Sequence, residues 1–229
     1  MRNENLAECT ANRITEYILQ NGLKPGDKIP TEMRLAEMFL VSRTTIREAE
    51  KLLRSRNVLE IRQGAGTFVS GKMGVPTDPL GFSMVSDQFQ LAKDLMALRI
   101  QLEPFDAELA SIHATREEIR RLWELQTRLE QENELREFEK IDLKFHITVA
   151  QASHNIVMQR VIPIIEEAFG TLSKTRKHQP SFAETRKTHR NVIEAIERKD
   201  AVGARNNMIV HLMLAEMVAE EGFEAIFGR

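Results

Sequence analysis

Two groups of side chains in this 229-residue sequence are spaced to do chemistry. Asp142 and His146 stand four apart, so a helix there carries both on one face, where they can chelate one metal ion. His189 and His211 fall mid-way along two later segments of helical apolar period, positions that point into a bundle core. The other group is Ser42-Arg43-Thr44-Thr45-Ile46-Arg47. Its two arginines, again four apart near a helix start, can pair with guanine edges in a major groove. Taken singly, neither spacing is diagnostic. An Asp/His pair at i, i+4 is usually a surface accident, and two such arginines are usually solvated helix charges.

The elements that must position these groups fall into two parts. Leu6, Ile14, Ile18 and Leu19 lie at near-helical spacing, so a first helix runs to about Gln20, and Asn21-Gly22 stops it. Thr31 caps a second helix with Leu35, Ala36 and Phe39 inward, and Ser42 caps a third through about Arg56 with Ile46, Ala49 and Leu53 inward. The period then shortens around Gln63-Gly64-Ala65-Gly66, which reads as a hairpin between Val58–Ile61 and Thr67–Val69. Residues 71–88 hold Gly71, Gly74, Pro76, Pro79 and Gly81 and read as a linker. Beyond it about six helices follow: 90–114, one capped by Thr115-Arg116-Glu117-Glu118, 139–153, one capped by Asn155 that must accommodate Pro163, one capped by Ser181-Phe182-Ala183-Glu184, and one capped by Asp200. The expected fold is mainly α. A winged helix-turn-helix spans 1–70, and an all-helical bundle spans 89–229.

Composition narrows the function. The single cysteine, Cys9, excludes an internal disulfide framework. No apolar core follows the basic start at Arg2, and no apolar run can span a bilayer, so a cytoplasmic protein is expected. The overall charge of −2 hides an asymmetry: residues 1–74 carry a net +3 and the remainder a net −5. A basic head on an acidic body suits a chain that meets DNA with the head alone.

The ordered run Pro25-Gly26-Asp27-Lys28-Ile29-Pro30-Thr31-Glu32, Leu35-Ala36, Val41 through Ala49 and Gly64 through Val69 closely resembles the DNA-binding domain of the GntR regulator family. The resemblance implies that Arg43 and Arg47 read bases, that Ser42, Thr44 and Thr45 touch phosphate or a thymine methyl, and that Arg34 lies against the backbone. The Gln63-Gly64 tip would approach the minor groove. Two positions depart from the family pattern: Glu50 stands where an apolar residue is usual, and Asn57 where glycine is typical. Asn tolerates a left-handed backbone.

The C-terminal part resembles the all-helical ligand-binding domain of the FadR-like branch, in its metal-containing FCD type. Asp142-Leu143-Lys144-Phe145-His146 matches the D-x-x-x-H motif of that type, and His189 and His211 follow. The resemblance implies that Asp142, His146, His189 and His211 hold one divalent ion. Three imidazoles and one carboxylate suit Zn²⁺ best, with Ni²⁺ or Mn²⁺ as alternatives, and leave positions open for an effector. Arg99 precedes Glu103 by four, which is either a helix salt bridge or the family's arginine beside the ligand cavity. His113, His154 and His178 read as ordinary, and Trp123 and the methionines as packing. The implied protein is a non-enzymatic homodimeric regulator, by default a repressor. It would bind a pseudo-palindromic operator and answer to a small organic or sugar acid. A purely structural ion, or a metalloenzyme on a vestigial DNA-binding fold, would fit the same residues.

Overall fold

A computed structural model describes residues 6–72, 74–76, 78–173 and 182–227, with side chains through Glu216. The chain divides into two compact units, Met1–Leu80 and Gly81–Arg229.

In the first unit, α1 (Leu6–Gln20), α2 (Glu32–Phe39) and α3 (Arg43–Ser55) precede the hairpin β1 (Leu59–Arg62) and β2 (Gly66–Val69). Ala11, Ile14, Ile18, Ile29, Leu35, Ile46, Leu53, Leu59 and Val69 share one core. Leu6 and Leu19, grouped above with the apolar stripe of the first helix, are instead exposed at 60% and 73%. The buried stripe is Ala7, Thr10, Ala11, Ile14 and Ile18, a face set by i, i+3, i+4 periodicity in which small residues count as much as leucines. Thr31 accepts from the Arg34 N–H and Ser42 from the Thr45 N–H, so each starts its helix. The strands pair Leu59 with Val69 through Arg62 with Gly66. Beyond the two expected strands, the Asp27–Ile29 segment pairs with the outer edge of β2: Val69 N–H donates to Asp27 O at 2.8 Å and Ile29 N–H to Thr67 O at 3.0 Å. Asn57 does take a left-handed φ of 54°, and its side-chain amide donates to Val75 O at 2.9 Å. An asparagine therefore serves both the turn and the chain that leaves the hairpin.

The second unit opens with a 3-10 turn (Phe82–Met84), followed by α4 (Gln88–His113), α5 (Arg116–Gln131), α6 (Leu135–Ala152), α7 (Met158–Ser173), α8 (Phe182–Glu197) and α9 (Ala201–Phe227). Starts of α4 and α6 fall earlier than periodicity places them, because Asp87 and Glu134 cap them through Gln90 N–H and Glu137 N–H. Thr115 and Glu118 form a reciprocal capping box. The cap read at Ser181, like His178, lies outside the described residues. Pro163 falls inside α7 and Pro104 inside α4, where its missing N–H leaves the Ile100 carbonyl without a helical donor. Ala107, Ala110, Leu122, Phe145, Val149, Val192, Ile193, Met208 and Leu212 form the main core, on which the imidazoles described next are mounted.

Candidate functional site

The exposed face of the first unit is built on α3. Arg43 and Thr44 are exposed near its first turn, with Arg47 one turn on. Ser42 caps the helix, its Oγ accepting from Thr45 N–H at 3.0 Å and lying 2.8 Å from Thr45 Oγ1. Arg34, on α2, is exposed and pairs with Glu37 at 3.3 Å. Gln63 and Gly64 are exposed in the turn between the strands, Gly64 with φ 73°. Glu32 was not singled out by sequence reasoning. Its carboxylate accepts from Arg47 Nε at 2.9 and 2.8 Å and stands 3.7 Å from Arg43 Nη2. Both guanidiniums are thereby tied to one anchor on α2. Behind them Glu50 is buried, 3.5 Å from the Thr67 hydroxyl, with its other oxygen lacking a partner. Burial raises its pKa, and the nearby Glu32 charge adds to the rise.

In the second unit the structure brings together Asp142 and His146 from α6, His189 from α8 and His211 from α9. Successive turns of α6 present the first two, and the last two sit on the buried faces of their helices. The Nε2 atoms of His189 and His211 are 3.3 Å apart, and those of His211 and His146 are 3.2 Å apart. Asp142 adds Oδ1 at 3.3 Å from His189 Nε2 and Oδ2 at 3.9 Å from His146 Nε2. Donor atoms around an ion at the usual bond lengths stand ~3.0–3.4 Å apart, so the set fits a divalent ion.

The outer ring nitrogens support the same reading. The Thr188 hydroxyl donates to Glu184 O at 2.9 Å, so its oxygen is free to accept His211 Nδ1–H, also at 2.9 Å. His146 Nδ1 is paired with Glu103 Oε2. Each contact assigns the proton to Nδ1 and leaves Nε2 bare toward the other donors. Burial lowers the pKa of His189, and lowers that of His211 still further with the neighbouring imidazoles contributing, so both rings are neutral and able to ligate. At His146 burial is outweighed by Glu103 and Glu166, and its pKa is raised. Asp142, despite burial, is held low by its hydrogen bond to His189 and by the imidazoles.

Arg99 is 3% exposed on α4. Its Nε lies 2.6 Å from Glu103 and 2.5 Å from Glu166, and its guanidinium sits 4.8 Å from the Phe169 ring centre. The salt bridge with Glu103 is therefore present and buried. Arg99 also lines a cavity of about 80 Å³ with Asp142, His211, Glu166, Phe138 and Phe169. Burial pushes Glu166 up to about 8, with the Glu103 charge adding to the rise and Arg99 opposing it, so it keeps its proton at neutral pH. Glu166 and Thr188 were missed from the sequence, and Glu103 was read only as the partner of Arg99, not of His146. The available signal was placement: Glu103 shares a helix face with Met96 and Ala107, and Glu166 stands beside Ile165 and one turn before Phe169.

Both units are similar to known proteins. The family model for bacterial regulatory proteins, gntR family, matches residues 6–69, and that for the FCD domain matches residues 94–213. A solved structure titled Streptococcus agalactiae GntR superposes with a TM-score of 0.81 at 36% identity, covering 92% of this chain and 99% of that one. A protein of Escherichia coli (strain K12) named for regulation of the L-lactate dehydrogenase operon is 31% identical over 223 residues, spanning 90% of this chain and 83% of its own. The Glc operon transcriptional activator of the same organism is 33% identical over 160 residues, 67% of this chain and 63% of its own.

Proposed function

The chain belongs to the gntR family of bacterial transcriptional regulators, with an FCD domain in its second unit, and from that premise we propose that it is a cytoplasmic repressor controlled by a small acid at a metal ion. It acts as a homodimer on a short pseudo-palindromic operator. Arg43 and Arg47 read bases, Ser42, Thr44, Thr45 and Arg34 position the helix on phosphates, and Gln63 and Gly64 approach the minor groove. Asp142, His146, His189 and His211 hold the ion, with Zn²⁺ first and Ni²⁺ or Mn²⁺ next. The ion supplies a Lewis-acidic point to which an acid's oxygen can bind.

The observation that carries this reading is the shared cavity, lined by Asp142, His211 and Arg99 together. The cavity joins a cation, Arg99, to the proposed ion site, which suits a small acid that can meet both. The lactate operon named for one relative makes L-lactate the first compound to try. A purely structural ion is the second reading, because Arg99 already has two carboxylate neighbours.

Operator titration with and without L-lactate, glycolate and sugar acids separates the two. An effector shifts DNA affinity only by the difference in its own affinity for the two forms. His189→Ala should bind operator normally, retain its helical circular dichroism and no longer respond. A His189→Ala protein responding at wild-type effector concentrations would make the ion structural. Equal metal content in wild type and His146→Ala/His211→Ala would end the metal assignment.

A further inference from the structure

The hairpin and the Asp27–Ile29 segment make a small sheet with one face on the core and one in solvent. Leu59 and Val69 are buried, so Glu60, Arg62, Gly66 and Phe68 share the outer face, with Lys28 beside Phe68 on the edge segment. Two cations gather there. The Arg62 guanidinium lies 4.4 Å from the centre of the Phe68 ring and the Lys28 ammonium 5.9 Å from it, both within cation–π range. Lys28 reaches this place by lying across Gly66: a Cβ at residue 66 would stand 2.6 Å from Lys28 Cε and 3.2 Å from its Nζ. Gly66, with φ 116°, is thus required twice, by its own backbone and by the lysine above it. Its partner in the ladder is Arg62, and directly paired residues stand ~4.5–5.5 Å apart, so the ammonium lies beside the guanidinium.

We propose that Lys28 and Arg62, gathered over Phe68 and Gly66, seat one backbone phosphate of the operator. The inference rests on the DNA-binding reading of the proposed function and adds a contact on the sheet, apart from the reading helix and the hairpin tip. Charge supports it. Both cations are exposed; Glu60 takes Arg62 Nε at 3.2 Å, and Lys28 has no carboxylate partner among the described residues, so the face keeps a surplus positive charge. Two long cationic side chains held near each other repel, and a single anion between them relieves that. The ring and the bare glycine hold both chains in place beforehand, which lowers the ordering cost of binding. A planar guanidinium and a compact ammonium together suit the oxygens of one phosphodiester. Chain order agrees as well: Arg62 directly precedes the Gln63-Gly64 tip, and Lys28 stands three residues before Thr31, the cap of α2.

The test is titration of the full-length protein, over a range of salt, with two duplexes of equal length. One is selected by wild type from random sequence and the other is unrelated. Lys28→Gln and Arg62→Gln should each weaken both duplexes alike, by about threefold to tenfold. The double variant should lower the slope of log affinity against log salt by about 1, the share of a single phosphate. Lys28→Arg should retain the wild-type slope. Glu60→Gln should bind both duplexes about twofold more tightly, because it frees Arg62 from its competing anion, a gain that a purely structural cluster would not give. Unchanged melting temperatures show that the fold survives each change. With Arg43→Ala weakened on the selected duplex, an unchanged slope in the double variant, or a loss confined to that duplex, would overturn the seat alone. An Arg43→Ala protein that binds the selected duplex like wild type would overturn the reading on which the seat rests.

Discussion

Arg47 is aimed before it meets DNA: its Nε is held between both oxygens of Glu32, which also stands within reach of Arg43. Arg43→Ala or Arg47→Ala should cost about 1–3 kcal/mol of operator affinity and relax specificity, the signature of a base contact. Glu32→Gln should produce a smaller loss of the same kind, since it frees the guanidiniums without removing them. An operator titration in which Arg43→Ala binds like wild type would displace the reading helix from its assigned role. A different residue-scale prediction concerns Asp106, which is 1% exposed with neither oxygen hydrogen-bonded. Burial pushes its carboxyl from 3.8 up to about 7, and the nearby Ser153 only partly opposes the rise. With the folded-state value raised, the native chain keeps a proton that the unfolded chain has already released. The stabilisation is thus complete below about pH 4 and lost as pH rises through about 7. Asp106→Asn should remove that slope and gain on the order of 2 kcal/mol at pH 8, read from denaturant titrations at pH 4 and 8. Of this chemistry the histidines were legible, because mid-helix imidazoles on apolar segments are conspicuous. Glu32, Glu166 and Asp106 were not, and Glu103 was read only as a partner of Arg99. A carboxylate on a helix looks solvated until the opposite face of that helix is known.

At the scale of elements, four caps were legible, while Asp87, Glu134 and the sheet edge were not. Thr31, Ser42, Thr115 and Asp200 each start a helix where a side-chain oxygen and the onset of period coincide. The third partner of β2 was hidden because Asp27–Ile29, wedged between Pro25-Gly26 and Pro30, is too short to show alternation. Glu50 on α3 is the element-level flaw, a carboxylate under the hairpin with one unpartnered oxygen. Glu50→Leu should stabilise the first unit by about 1–3 kcal/mol, since an apolar side chain of similar volume carries no desolvation cost. Thermal denaturation of that unit's transition checks it. A destabilised variant would show that the Thr67 contact outweighs the burial of the charge.

For the whole molecule, the net +3 of residues 1–74 against −5 beyond them predicts steep salt dependence of operator binding, carried by the head. Arg34→Ala should weaken all sequences alike and reduce the slope of log affinity against log salt by about 1. An unchanged slope would take Arg34 off the phosphates. The three Nε2 atoms packed within 3.3 Å of their neighbours bear on the lifetime of the protein as well as its logic. The four donors come together only in the folded chain, so an ion bound there favours that state. By mass action each tenfold rise in free ion above its dissociation constant then adds about 1.4 kcal/mol of stability. Chelation should lower the melting temperature of wild type and leave that of His146→Ala/His211→Ala unmoved. In a cell short of the ion, a larger fraction of chains would stand open to proteases at any moment. The abundance of the regulator would then follow ion supply, an input separate from the acid proposed to control it.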